Sequence, residues 1–240
     1  MAPSNIKLYY FNATGRAHQI RLALAAGGVQ WEDSHPSGFP PSPEDKANWS
    51  ALTNNNTTFS VPILTIDEGT DNQKVYLQSS AVLRKAGRLG DLKMTLKDDD
   101  ADGDQAAYLT DRAIADADDL RSASYKGFVI FGASKESATK FAKEVLPKHI
   151  DNLERQFVAA GGDFWGGSST ISVADVTLYD AIVGFGTNLI DGAEGVENPC
   201  GPALTAWIKR VESNKRIKAY LEGDQFKNIA GKFNKSALGF

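Results

Sequence analysis

The sequence predicts an α+β protein in two parts: a small leading unit with a mixed sheet, then an all-helical unit. Three observations predict it. Residues 6–34 read strand, helix, strand, a βαβ pattern that sets two strands parallel beneath one helix. Residues 59–77 hold two apolar, β-rich runs around the turn-forming Asp67-Glu68-Gly69-Thr70-Asp71-Asn72, which reads as a hairpin with a loose loop. Beyond Gly103 every apolar stripe has helical spacing. The expected divisions are 1–89 for the sheet unit, 90–104 for an acidic linker and 105–240 for the helical unit.

Taken in order, Ile6-Lys7-Leu8-Tyr9-Tyr10-Phe11 is rich in β-formers and alternates weakly, a first strand. After the turn Asn12-Ala13-Thr14-Gly15, residues 16–26 turn helical, with Ile20, Ala23 and Leu24 on one face and Gly27-Gly28 as the stop. Val29-Gln30-Trp31-Glu32 is a short second strand. His35 to Thr58 is polar, broken by Pro36, Pro40, Pro41 and Pro43, and reads as a long irregular connection with a helical turn or two. Phe59 to Asp67 and Val75 to Leu77 form the hairpin, with Pro62 at the mouth of its first strand. A helix from Ser79 to Leu89 follows directly. Polar side chains and free N–H groups at that helix start make a seat for a small carboxylate.

Asp91 to Gly103 is acidic and poor in apolar residues. Its Asp98-Asp99-Asp100-Ala101-Asp102-Gly103 opens like a calcium loop, but Leu109 stands where the bidentate Glu belongs, so it reads as solvated linker. Helices are expected over Ala106–Ser124, Lys135–Val158 with a kink at Pro147, Val173–Ile190 as a central buried helix, Pro202–Val211 and Ile217–Leu221. Ser172-Val173-Ala174-Asp175 is a capping-box variant at the start of the central helix.

Composition sets limits on function. The 240 residues are 42% hydrophobic, enough for one good core or two modest ones. A net charge of -4 argues against general affinity for nucleic acid or acidic membranes. The single cysteine, Cys200, excludes an internal disulfide and suits a reducing compartment. No signal peptide and no membrane-spanning run are read, so the expected location is cytosolic, and the sequons at Asn12, Asn48 and Asn56 read as chance matches. His18, His35 and His149 form no metal-ligand spacing.

The motifs in sequence order carry a resemblance. Lys7-Leu8-Tyr9-Tyr10-Phe11-Asn12 with Gly15-Arg16-Ala17, Val61-Pro62-Ile63-Leu64, Leu77-Gln78-Ser79, Trp49 thirteen residues before Pro62, and Asp163-Phe164-Trp165-Gly166-Gly167 leading to Ala174-Asp175 together resemble the cytosolic glutathione transferases. The opening resembles their sigma class, including its prostaglandin D synthase branch. The resemblance implies a thioredoxin-like leading domain and a homodimer that conjugates glutathione to a hydrophobic electrophile. It implies glutathione as co-substrate, with no further cofactor and no metal.

It also implies roles. Tyr10 donates a hydrogen bond to the thiolate, which is the nucleophile; Arg16 adds a favourable field. Val61 presents its backbone to the cysteinyl residue through a cis bond to Pro62, whereas base rates alone favour trans. Gln78 and Ser79 hold the γ-glutamyl group, Asp111 reaches its ammonium across the dimer, and Trp49 bounds the glycyl end. Read without the resemblance, Gln78 and Ser79 are helix caps, Trp49 a packed loop aromatic, and Tyr9 and Tyr10 strand aromatics. Strand alternation sends the two tyrosines to opposite faces; the resemblance, which places Tyr10 before Phe11-Asn12, implies that Tyr9 is the one in the core.

This chain departs from sigma-like members at Thr14, where they often carry Arg, and at Thr53, where they often carry Lys. Gly is usual near Phe59-Ser60. The Pro36–Pro43 insertion lengthens one loop, and the tail 226–240 either covers the electrophile pocket or packs on the surface. Two alternatives stay open: a non-catalytic ligand carrier or structural protein on the same fold, and a glutathione-dependent isomerase.

Overall fold

The computed structural model describes residues 5–53, 61–94 and 103–240. Its leading unit is a four-stranded mixed sheet in the order β2-β1-β3-β4. β1 (Ile6–Tyr9) lies parallel to β2 (Glu32–Ser34) and antiparallel to β3 (Ile63–Ile66), which lies antiparallel to β4 (Lys74–Tyr76). The expected βαβ unit and hairpin are both present. Phe59 and Ser60, at the predicted start of the third strand, fall outside the described residues, as do Asn56 and the acidic run 98–102.

α1 (His18–Ala26) follows a 3₁₀ turn at Gly15–Ala17, and all nine of its residues are buried. β2 starts at Glu32 rather than Val29 because the Val29 N–H still bonds back to the Leu24 carbonyl (2.9 Å) as part of the helix exit. The largest correction is in the Pro-rich connection, where α2 (Pro43–Leu52) is a ten-residue helix. Ser42 Oγ accepts the Asp45 N–H and the Asp45 carboxylate accepts the Ser42 N–H, while Pro43 occupies the first helical position. Trp49 is its one buried residue, so no apolar stripe announces the helix. α3 (Ser79–Gly87) packs against α1, β3 and β4.

The second unit is helical throughout its described residues. α4 (Gly103–Gly127) packs along α7 (Val173–Tyr179) and the π segment Asp180–Thr187 that continues it into α8 (Asn188–Ile190). This Val173–Ile190 stretch is the one helix among the described residues long and apolar enough to cross a membrane, and 78% of it is buried inside the protein. α5 (Lys135–Lys140) runs through a π turn at Phe141–Val145 into α6 (Leu146–Ala160). Pro147 therefore sits in the first turn of α6, and the π turn ahead of it takes the place of the expected kink. α9 (Pro202–Ser213), α10 (Lys215–Glu222), α11 (Asp224–Lys227) and a 3₁₀ turn at Lys235–Leu238 complete the chain.

The start of α7 is a buried polar knot. The Asp175 carboxylate accepts hydrogen bonds from the Ser172 N–H (2.9 Å) and hydroxyl (2.7 Å), the Trp165 N–H (2.8 Å) and the Trp207 indole N–H (2.9 Å). The rings of Phe157, Trp165 and Trp207 pack against one another beside it. The segment after α3 is tied down as well, with the Asp91 N–H on the Gly27 carbonyl and the Val173 N–H on the Lys93 carbonyl.

The tail 226–240 folds back instead of trailing on the surface. Gly231 exchanges backbone bonds with Asn12 and Thr14 (both 2.9 Å), clasping the β1–α1 loop. Phe233 then enters a ring cluster with Tyr125, Phe128, Phe131 and Phe185.

Candidate active site

The sheet brings the predicted residues to one end. Continuing the β1–β3 register one step past its last pair sets Tyr10 opposite Pro62, and continuing the β3–β4 register two steps sets Pro62 opposite Gln78. The Tyr10 backbone extends β1 by bonding Ser34 O (3.1 Å), and His35 Nδ1 meets the Tyr10 carbonyl at 3.0 Å. The Val61–Pro62 peptide is cis, as the resemblance implied, and so is Phe39–Pro40. Gln78 stands at φ +71°, a backbone conformation that side chains other than glycine rarely take. Such a residue is held there by its surroundings, here at the entry to α3 where the first N–H groups point out of the helix.

Tyr10 is buried, 6% exposed, and its phenolic oxygen accepts the Arg16 N–H at 3.0 Å. The turn that delivers this N–H needs Gly15: its φ is +39°, and a Cβ there would collide with the Tyr10 hydroxyl. Burial raises the Tyr10 phenol above its ordinary range, while the Arg16 amide and the Arg21 and Arg16 charges pull the other way. The phenol is therefore protonated at neutral pH, a donor and not a phenolate base. The two tyrosines reverse the expected contrast in depth. Tyr9 is only half-buried and outside the core, because its hydroxyl donates to both Glu68 oxygens (2.7 Å) of the hairpin loop.

Trp49 reaches the same corner by packing its ring on Phe11 (5.8 Å), which packs on Tyr10 (5.2 Å). Arg16 lies over the Tyr125 ring (5.6 Å) and 3.8 Å from Asp118. Ser79 is buried at the head of α3, and its neighbour Ser80 donates to Asp118 at 2.6 Å. Asp111 stands apart: its exposed carboxylate pairs with Arg84 on α3 of the same chain. Thr53 hydroxyl closes the end of α2 on the Trp49 and Ser50 carbonyls.

Asp118 is the residue the sequence reading passed over. It joins Ser80, Arg16 and the fully buried Arg121 (3.1 Å), and Arg121 in turn holds Asp180 Oδ2 (2.7 Å) and the Thr177 carbonyl (2.9 Å). The available signal was Arg121 itself. It follows Leu120 on the buried stripe of α4, and a buried guanidinium demands carboxylates near it, one of which stands three residues back.

Solved structures share this architecture. The sigma-class glutathione S-transferase of Fasciola hepatica superposes with a TM-score of 0.64 at 21% identity, over 91% of this chain and 95% of that one. The prostaglandin synthase D of Nilaparvata lugens gives 0.65 at 21% identity, over 92% and 98%. At such identity the likeness is one of fold. Sequence carries it further: residues 118–224 match the glutathione S-transferase C-terminal domain. Glutathione S-transferase P 1 of Xenopus laevis is 30% identical over 222 residues, 90% of this chain and 92% of that one. The class-mu 28 kDa isozyme of Schistosoma japonicum is 25% identical over 180 residues, 74% and 79% of the two chains. This chain belongs to the glutathione S-transferase family.

Proposed function

We propose that the protein is a sigma-like, Tyr-type glutathione transferase, a cytosolic homodimer that joins the glutathione thiolate to a hydrophobic electrophile. The observation that carries the reading is the Tyr10 phenol. Its oxygen already accepts the Arg16 N–H, so its own hydrogen is left to donate, and accepting one bond strengthens the donation of the other. A free thiol with pKa about 8.5 is only about 3% ionised at pH 7. One charge-assisted hydrogen bond, about 1.5–3 kcal/mol, lowers that pKa by about one to two units. The thiolate then attacks the electrophilic carbon, a C–S bond forms, the leaving group departs with its electron pair, and the thiol proton goes to solvent.

Around that sulfur, Val61 and Pro62 pair the cysteinyl backbone as an added strand. The α3 N-terminus, with Gln78 and Ser79, receives the γ-glutamyl carboxylate. Trp49 walls the glycyl end, and Arg16 supplies positive field held in place by Asp118. Asp111 serves the γ-glutamyl ammonium of the partner subunit, with Arg84 as its resting companion.

Conjugation of a chlorodinitrobenzene to glutathione tests this. Tyr10→Phe is expected to lower kcat roughly 10- to 100-fold, with glutathione affinity within about threefold of wild type. Equal turnover of the two proteins would remove Tyr10 from the chemistry. One observation favours a second reading, a glutathione-binding carrier: the tail clasps the β1–α1 loop and Tyr10 is only 6% exposed. Glutathione binding without turnover by the wild-type protein would select the carrier.

A further inference from the structure

The 3₁₀ turn that presents the Arg16 N–H to the Tyr10 oxygen is short, and no side chain caps its start. Thr14 stands at that position without a capping bond; its hydroxyl points to the Gly231 carbonyl instead (3.3 Å). The backbone leading into the turn is held from other parts of the chain. The buried Arg21 donates to the Ala13 carbonyl (2.8 Å), and the His18 N–H donates to the Thr14 carbonyl (3.0 Å). The tail supplies the rest of the grip. The Gly231 N–H donates to the Asn12 carbonyl, and the Thr14 N–H donates to the Gly231 carbonyl (both 2.9 Å). The Asn12 side-chain oxygen accepts the Ala230 N–H as well (3.0 Å).

The grip depends on a glycine. Ala13 and Gly231 face each other as a parallel bridge, and a Cβ on Gly231 would lie 2.9 Å from Ala13 Cβ and 3.2 Å from the Asn12 carbonyl oxygen. Without a side chain the two backbones can come this close. Residues on both sides fix the register. Ile229 is buried ahead of Gly231, and Phe233 enters the ring cluster behind it. Between them, the Lys232 ammonium folds back onto the carbonyls of Lys227 (3.0 Å) and Ile229 (2.8 Å). A residue 217 positions along the chain from Thr14 thus sets the backbone just ahead of the Arg16 N–H.

We propose that Gly231 is a positioning residue for the thiol chemistry: it holds the Asn12–Thr14 backbone so that the Arg16 N–H stays on the Tyr10 oxygen. This rests on Tyr10 being the donor to the glutathione thiolate, and Gly231 acts only through that phenol. A phenol that accepts the Arg16 N–H donates its own hydrogen more strongly, and in a fixed direction. Small misplacements at a reacting pair cost rate out of proportion to their size. With the clasp open, the turn at Gly15 drifts, the N–H leaves the phenol and the bound thiol becomes less acidic.

Ultraviolet titration of the thiolate in the glutathione complex of the full chain is the test. Gly231→Val pushes the tail off Asn12 and Ala13. The thiol is then expected to be roughly three- to tenfold less acidic, titrating about half a unit to one unit nearer its free value, with glutathione affinity within about threefold of wild type. In a Tyr10→Phe background the same substitution is expected to move the titration by less than about 0.2 unit, the mark of an effect that passes through the phenol. Asn12→Ala removes the acceptor of the Ala230 N–H without adding bulk and is expected to lower the acidity about twofold. It stands in should circular dichroism show that Gly231→Val does not fold. A thiol titration unmoved by the tail substitutions, while Tyr10→Phe raises it, would overturn the positioning role and spare the thiol reading. An equal shift with and without the Tyr10 hydroxyl would overturn that role too. No change on Tyr10→Phe alone would defeat the thiol reading and this inference with it.

Discussion

Asp175 and Asp180 stand five residues apart on one buried helix, and their surroundings differ. The Asp175 carboxylate collects four donors from three segments of chain, so both of its oxygens are hydrogen-bonded. Asp180 gives one oxygen to Arg121 and leaves the other buried without a partner. Burial raises both carboxyls, Asp175 against the pull of its hydrogen-bond donors, and Asp180 to about 6 against the pull of Arg121. The difference separates two uses of a buried acid. Where both oxygens are met by several segments of the chain, the group fastens those segments together; where one is left over, the group rests on a single charged partner.

The largest expected effect breaks the first half of the contrast. Asp175→Ala strands two backbone N–H groups, a hydroxyl and an indole N–H at once, and is expected to cost about 3–5 kcal/mol in urea unfolding. A loss below about 1 kcal/mol would deny the knot its fastening role. The second prediction concerns His18, buried near Asp180, and pH. His18 is depressed to about 3 against 6.5, so the unfolded chain binds the extra proton between those values. Its contribution is present above about pH 6.5 and is lost as pH falls toward 3, by about 1.4 kcal/mol per pH unit in the middle of that window. The difference in unfolding free energy between wild type and His18→Leu should shift by about 2 kcal/mol between pH 7 and pH 5, to the detriment of wild type at the lower pH. A pH-independent difference would contradict the burial of a neutral imidazole there.

The smallest effect sets the scale. Ser42-Asp45 repeats the Ser172-Asp175 capping box on the exposed helix α2, with the same reciprocal backbone bonds. Ser42→Ala is expected to cost about 1 kcal/mol, because water replaces the lost acceptor. A cost matching that of Asp175→Ala would mean that burial adds nothing to such a box.

These elements also show what a sequence discloses. The strand–helix–strand opening, the hairpin and the Ser172 box are local patterns, and each is present in the expected order, with β2 displaced from Val29–Glu32 to Glu32–Ser34. α2 was missed although Ser42, Pro43 and Asp45 signal its start, because a helix that buries only Trp49 has no stripe to read. The π segments leave no local mark. Strand alternation separates Tyr9 from Tyr10 but is silent on which face is covered, and Glu68 reverses the expected depth. The Asp118 network and the clasp of Gly231 on Thr14 join residues far apart in the chain, so only the fold assembles them.

The central claim is that the Tyr10 phenol lowers the pKa of a bound glutathione thiol. Ultraviolet titration of the thiolate in the binary complex measures this directly, in wild type and in Tyr10→Phe. The expected result is a thiol titrating about one to two pH units below its free value in wild type and near that value in the variant. The same depressed titration in both proteins would contradict the account.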